Sequence, residues 1–499
     1  MNQMKKKFMF RYTLMIAGFF ALSFSSAQDK PYEFQVHHLE DTVVYLANYY
    51  GEKLYYSDTA YADNEGNFSF HEVSDENQGK YAVVIPGPKY FEIVIADNEK
   101  IKIETDTADL AGMLKVHESQ NNKILYNYMN FLTERRKERE KLLEKLEENE
   151  GKPEITKAIK TEYNALNDKV VKYQRSIAEK NPNKFAAKEI IMAVEPEPPA
   201  EIREDKAKSY YYYKSHYFDN IDLKDDRIIR SPIFHGRLDN YLNKTLIQDP
   251  DTVSKAMDVL IGRLEPGSEV FKYVVHYATY SFETSKIMGM DKAFVHMVDN
   301  YYTPDLAFWM DEEKLETIKE KANQKRNTLI GDVIPELILM DTAGNWISTH
   351  RDLKQKYVLL YFYDPDCGHC KKETPKLVEF YKSFDQKLLG VYAVSSETGK
   401  KWTDFIDKNE MSFSNVAIPK KAYEDANYAT KLITSGKTNY TSLKYTETYD
   451  VFSTPKIILV DQDRVIRAKD IGVDQIENLI NRFEGVEVEE GGKEETIAD

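Results

Sequence analysis

The sequence predicts a multi-domain chain. An N-terminal all-β, sandwich-like domain and a central α-helical region precede a C-terminal α/β domain. Three observations carry this reading. Short β-rich runs separated by turn residues fill residues 31–115, and apolar residues then recur at helical spacing. Further on, Tyr357–Tyr363 is a continuous apolar run suited to a central strand covered on both faces. A chain of 499 residues has room for three or four domains at roughly 100–200 residues each.

The first residues stand apart from the rest. Lys5, Lys6, Lys7 and Arg11 form a positive segment, and an apolar run from Tyr12 to Phe24 follows it. Ser25-Ser26-Ala27 then offers small residues for cleavage, so residues 1–27 are expected to be a secretory signal peptide, with an uncleaved anchor as the alternative. The run is shorter than the roughly 20 residues a spanning helix needs.

Residues 28–120 are expected to be the β-rich domain. Its runs include Val43-Val44-Tyr45-Leu46, Phe68-Ser69-Phe70, Tyr81-Ala82-Val83-Val84-Ile85 and Phe91-Glu92-Ile93-Val94-Ile95, and Ile101-Lys102-Ile103 follows. Asp63-Asn64-Glu65-Gly66-Asn67, Pro86-Gly87-Pro88 and Asp97-Asn98 read as turns, which together suggest an antiparallel sandwich or small barrel. Residues 121–328 are expected to be helical. Ile155, Ile159, Tyr163, Leu166, Val170, Tyr173 and Ile177 recur at spacings of four and three, and Gly151-Lys152-Pro153 separates this seam from a similar stretch over 125–146. That pattern reads as an antiparallel helical hairpin. The tyrosine run 210–213 is read as buried or interface packing in preference to a ligand-stacking surface. Strand character returns at 335–339, with a turn at 341–345, and opens an α/β domain over 329–483. Residues 484–499 are acidic and poor in apolar side chains, the composition of a disordered tail.

Charge and cysteine usage narrow the function. A formal net charge of -15 argues against a nucleic-acid partner, which needs a basic face to neutralise phosphates. The chain has 2 cysteines, three positions apart. A disulfide closing so short a loop removes little unfolded-state entropy, so the pair is there to react rather than to staple.

The apolar run leads through Asp364-Pro365-Asp366 into Cys367-Gly368-His369-Cys370-Lys371-Lys372-Glu373-Thr374-Pro375. A strand and turn of this kind place Cys367 at a helix N-terminus, where free N–H groups and the helix dipole favour an anion. Cys367 is therefore expected to be the attacking thiolate and Cys370, one turn along, the resolving thiol. His369 can place positive charge beside the thiolate, which makes a disulfide more oxidising; the alternative is an exposed spacer.

This arrangement resembles the thioredoxin superfamily, in particular its exported TlpA-like branch, over residues 329–483. The resemblance implies a thioredoxin-like fold. Pro375 matches the proline that kinks the active-site helix. Thr454-Pro455, ahead of Lys456-Ile457-Ile458-Leu459-Val460, matches a cis-proline that faces the disulfide and binds substrate. Glu373 matches a glutamate near the sulfurs in cytochrome-maturation members; the plainer reading is an acid complementing the helix dipole. Tyr361 stands where thioredoxin has a buried aspartate, and the stretch between Ser395 and Tyr449 reads as an insertion.

Other chemistries fit less well. Zinc needs two more ligands, and no further cysteine or later histidine supplies them within this domain. The missing later histidine also counts against copper carriage. A peroxidase needs Pro and Thr where Leu360 and Asp364 stand. The sequence thus reads as an enzyme exchanging thiols and disulfides with protein substrates, with no cofactor and no metal. The resemblance adds a periplasmic setting and reduction by a membrane thiol-transfer protein. A reductase is the expected direction, although the direction itself is set by the potential against the partners and is not legible in sequence. The alternative is a binding or scaffold protein whose N-terminal domains carry the main role. Substrate identity and oligomeric state are not legible.

Overall fold

The computed structural model describes residues 32–87 and 89–486. The expected signal peptide and most of the acidic tail lie outside the described residues. The chain divides into two compact units. Among the described residues, 32–48 join Leu54–Glu148, and Tyr49–Lys53 join 149–486.

The first unit is built on two four-stranded sheets. Its strands are β1 (Tyr32–His37), β2 (Thr42–Tyr50), β3 (Lys53–Ala62), β4 (Asn67–Phe70), β5 (Gly79–Ile85), β6 (Lys89–Ile95), β7 (Ile101–Asp106) and β8 (Lys115–Glu118), followed by helix α1 (Gln120–Glu148). One sheet runs β4-β1-β7-β8 and the other β3-β2-β5-β6. Alternating strand residues fill the space between them: Phe34 stacks on Phe68 at 5.3 Å and meets Phe91 of the other sheet at 6.1 Å. The expectation of a purely antiparallel arrangement needs correction, because β1 pairs with β7 in parallel. That pairing joins strands distant in sequence, which turn signals cannot report. Gly66 makes the turn into β4 at φ 76°, where a Cβ would strike the Val36 carbonyl at 2.0 Å. The start of α1 covers the free edge of β6. Asn122 accepts from the Val94 N–H at 2.9 Å and donates to its carbonyl at 2.8 Å, which satisfies an edge that would otherwise invite pairing.

The second unit begins with α2 (Pro153–Lys180), α3 (Phe185–Met192), α4 (Lys206–His216), α5 (Pro232–Asn240), α6 (Pro250–Ile261), α7 (Glu269–Glu283), α8 (Asp291–Tyr301) and α9 (Glu312–Arg326). Side-chain caps start several of them: Ser231 and Asp249 each accept an N–H from the first turn and precede a proline that has no N–H to lose. The predicted seam of α2 is buried at Ile159, Leu166 and Ile177, while Ile155 near its start is exposed. In α7 the spacing Val270, Val274, Ala278, Phe282 forms the buried stripe. On α4 the tyrosine run is partly packed: Tyr210, Tyr212 and Tyr213 are half-buried, with Tyr213 edge-on to Tyr217 at 5.4 Å, while Tyr211 is 62% exposed.

The unit ends in a seven-stranded sheet. Its elements are β9 (Ile338–Asp341), β10 (Trp346–Ser348), β11 (Tyr357–Tyr363), α10 (Gly368–Ser383), β12 (Leu389–Ser395), α11 (Lys400–Asn409), β13 (Ser414–Ala417), the short helices α12 (Lys420–Glu424), α13 (Ala426–Thr434), α14 (Tyr440–Leu443) and α15 (Tyr445–Thr448), then β14 (Lys456–Val460), β15 (Ile466–Lys469) and α16 (Ile476–Phe483). The order is β10-β9-β13-β12-β11-β14-β15, with β11, β12 and β13 parallel and β14 antiparallel to β11. Every residue of β11 is buried. Tyr357, Leu359, Tyr361 and Tyr363 face a core that includes Leu377 of α10 and Ile480 of α16, and Val358, Leu360 and Phe362 face Tyr445 and Tyr449. The stretch between Ser395 and Tyr449 is not simply inserted, since β13 within it pairs with β12 as part of the sheet. Four residues are too few to show a strand period. At the start of the predicted tail, the Glu484 carboxylate accepts from Tyr357 at 2.6 Å.

Candidate active site

The site lies where β11 ends and α10 begins. Asp364 shapes the turn between them. Its carboxylate accepts the Asp366 N–H at 2.7 Å and its carbonyl accepts the Cys367 N–H at 3.1 Å, a side-chain and backbone pair typical of a tight turn. Pro365 cannot extend a strand, and the chain enters α10 with Cys367 as its N-cap.

Both cysteines are free thiols, Cys367 partly exposed and Cys370 buried. The Cys370 N–H points at Cys367 Sγ at 3.4 Å, and that sulfur donates to the Thr454 carbonyl at 3.1 Å. Partial burial opposes ionisation of Cys367. Hydrogen bonds from the Cys370 and His369 backbone N–H groups and from the Thr454 hydroxyl outweigh it and hold the thiol below its ordinary value. For Cys370 burial prevails: it pushes the thiol up to about 11 against hydrogen bonds from the Asp364 backbone and the Thr454 side chain, and the neighbouring Cys367 adds to the rise. The turn thus separates the two thiols into one that ionises readily and one that does not.

The other predicted residues fall into place unequally. The Thr454–Pro455 bond is cis, and β14 starts at the next residue, so Thr454 is brought to Cys367 by the strand beside β11. The His369 side chain is exposed, and the contact it makes with the thiol is through its backbone. Pro375 lies inside α10. Glu373 accepts from Lys376 at 2.7 Å and makes no hydrogen bond to either sulfur among those described. Sequence reasoning missed the buried hydroxyl pair behind Cys370, where the Tyr361 and Thr374 oxygens lie 2.7 Å apart. Thr374 is one helical turn past Cys370 on the same face of α10. Burial raises the Tyr361 phenol, and charge on Cys370 and Glu373 adds to the shift, so these groups sit within electrostatic reach of one another. The signal was present as two hydroxyl residues flanking the motif.

Comparison with known proteins agrees with this geometry. Residues 330–469 match the AhpC/TSA family. The C-terminal third is a thioredoxin-like domain of that family. Over 173 residues this thioredoxin-like domain is 28% identical to the thiol-disulfide oxidoreductase ResA of Bacillus cereus, a match covering 34% of this chain and 79% of the relative. The domain is an oxidoreductase domain. Among solved structures, the thioredoxin domain of a thiol-disulfide oxidoreductase from Bacteroides vulgatus is 30% identical and covers 31% of this chain and 96% of its own, with a TM-score of 0.25. A thioredoxin-like protein from Bacteroides caccae is 17% identical and covers 57% of this chain and 97% of its own, with a TM-score of 0.43. Residues 144–327 match a domain of unknown function, DUF5106. No helix among the described residues is long and apolar enough to cross a membrane.

Proposed function

We propose that the protein is an exported thiol–disulfide oxidoreductase that reduces protein disulfides with the Cys367–Cys370 dithiol. The observation that carries this is the split between a depressed Cys367 and a raised, buried Cys370 at one helix start. Cys367 thiolate attacks a substrate disulfide, forms a mixed disulfide and releases one substrate thiolate. Cys370 then gives up its proton and attacks Cys367 Sγ. The second substrate sulfur leaves and is protonated, and the chain holds a Cys367–Cys370 disulfide. A dithiol reductant, proposed to be a membrane thiol-transfer protein, returns it to the starting state.

In this reading residues 329–483 are the catalytic domain, and Thr454 and Pro455 form the wall on which substrate lies. His369 acts through its N–H and its nearby charge. Glu373 receives the Cys370 proton by way of the Tyr361–Thr374 pair. The basic and apolar run over 1–24 supports export, and the resemblance to TlpA-like proteins supports the periplasm and the reductase direction. The reduction potential against glutathione tests the direction. A value near about -120 mV, the range of a strong periplasmic oxidant, would refute it.

A second reading gives the main role to the N-terminal regions as a binding module. It is favoured by a cleft of about 490 Å³ in the helical region, lined by Tyr210, Tyr211, Phe218 and Tyr241 with Lys214 and Arg263. If residues 329–499 alone reduce a generic disulfide and the protein's own substrate as fast as the whole chain, those regions are not needed for exchange.

A further inference from the structure

The Thr454 turn leans on charges that begin outside the thioredoxin-like domain. Lys325, in the last turn of α9, reaches the Asp450 carboxylate at 3.3 Å. Asp450 opens the loop that passes through the exposed Phe452 to Thr454 and Pro455. Lys456 closes it: its ammonium donates to the Asp450 carbonyl at 2.9 Å and lies 3.8 Å from the Asp450 carboxylate. The same ammonium faces Asp470 at 3.5 Å. Both ends of the loop are therefore tied to each other, and the knot is tied to α9.

Burial gives these contacts weight. The Lys456 side chain is 9% exposed and that of Asp450 11%, so neither charge can turn to bulk water in place of its partner. Asp450 also holds φ 52°, a left-handed conformation that aspartate tolerates better than most residues, and its N–H and that of Val451 are bonded back to Glu447 and Thr446. An exposed ion pair would flex and be screened. This one sits where a small displacement passes along the chain to Thr454, whose carbonyl is 3.1 Å from Cys367 Sγ.

We propose that Lys325 is a positioning residue for the redox site. Through Asp450 and Lys456 the helical region holds the Thr454 turn against Cys367 and thereby sets the reactivity of that thiol. This rests on the reading of Cys367 as the attacking thiol, and it gives the domain of unknown function a task in the chemistry. Lys325 touches neither substrate nor sulfur.

The test uses the full chain in a Cys370→Ser parent, so that only Cys367 is alkylated, and follows iodoacetamide rate against pH together with the thermal midpoint. Lys325→Met should move the Cys367 titration upward and slow alkylation at neutral pH, and Lys325→Arg should restore the parental profile. A methionine profile that superimposes on the parent's, whatever happens to the thermal midpoint, overturns the proposal and leaves a purely structural ion pair. If the methionine variant does not fold, Asp450→Asn takes its place with the same two outcomes. A parent whose Cys367 titrates like a free cysteine removes the attacking-thiol reading itself, and the proposal with it.

Discussion

The redox turn and the seam between the helical region and the sheet edge both manage charge, by opposite means. At the turn the groups that hold Cys367 down are hydrogen-bond donors. Backbone N–H groups at the start of α10 wait for a thiolate that exists only during turnover. At the seam the charges are permanent and nearly out of water. Lys469 of β15 is 6% exposed, pairs with Asp291 of α8 and donates to the Thr328 carbonyl at 2.7 Å. The contrast separates two roles for electrostatics in one compact unit. Dipoles tune a reacting group without holding the fold, and buried ion pairs fix the neighbouring layers without touching substrate.

Breaking the turn should cost chemistry. Cys367→Ser should reduce disulfide exchange to background, and Cys370→Ser should accumulate mixed disulfides through Cys367 alone; equal trapping by both variants would reverse the assignment. Their pH dependence should differ as well. The folded Cys370 is raised from 9.0 to about 11, so the unfolded chain ionises it first, and the stability it contributes is lost as pH rises through that window. Cys367 is depressed; its contribution is present above its unfolded value and lost as pH falls through its folded one. Urea midpoints between pH 8 and 11 should therefore decline more steeply for Cys367→Ser, which keeps only the raised thiol, than for Cys370→Ser.

Breaking the seam should cost stability. Asp291→Asn leaves the Lys469 ammonium buried without its counter-ion, a change worth about 3–5 kcal/mol when a buried pair loses one member. Chemical denaturation of the full chain measures it. A loss under about 1 kcal/mol, the scale of an exposed pair, would show that water reaches Lys469 and that the seam is an ordinary surface.

The two regions also differ in how legible they are from sequence. The turn was readable because its parts are contiguous: an apolar run, Asp364-Pro365-Asp366, and Cys367 with Cys370 one turn on. Thr454-Pro455 was readable only through resemblance, although a strand follows it. The seam pairs residues 178 and 125 positions apart, Asp291 with Lys469 and Lys325 with Asp450, and no local period marks them. The parallel β1–β7 pairing was hidden for the same reason, and β13 because four residues are too few to show a strand period. Tyr361 was read as a missing carboxylate, and only the fold shows its hydroxyl bonded to Thr374.

His369 sharpens the comparison within the turn. The structure assigns its contact with the thiol to the backbone, whereas its ring is exposed. His369→Pro removes that N–H as well as the ring, and proline is tolerated in a first helical turn. It should raise the Cys367 titration and lower the reduction potential by tens of millivolts, where about 30 mV corresponds to ~1.4 kcal/mol. His369→Ala keeps the N–H and should shift the potential less. Equal shifts from the two variants would mean that the ring's charge does the work and the backbone bond none.

The smallest effect belongs to Glu373, because it mixes the two styles. Its carboxylate is a permanent charge, as at the seam, yet it lies one turn past Cys370 and influences the Tyr361 phenol that also feels Cys370. Lys376 holds it at 2.7 Å with 28% of the Glu373 side chain exposed, so its carboxylate is tied to a partner other than the sulfurs. A well-placed general base supplies at least about 100-fold. Glu373→Gln should fall short of that, slowing the resolving step by less than about tenfold and leaving the Cys367 titration in place. The step is read directly by mixing the chain with a preformed mixed disulfide and following release of the second thiol against pH. Thr374→Val should slow the same step if the proton travels through the hydroxyl pair. If Glu373→Gln leaves release unchanged at every pH while Thr374→Val slows it, the proton leaves by way of the hydroxyl pair to water, and Glu373 serves only the helix dipole and Lys376.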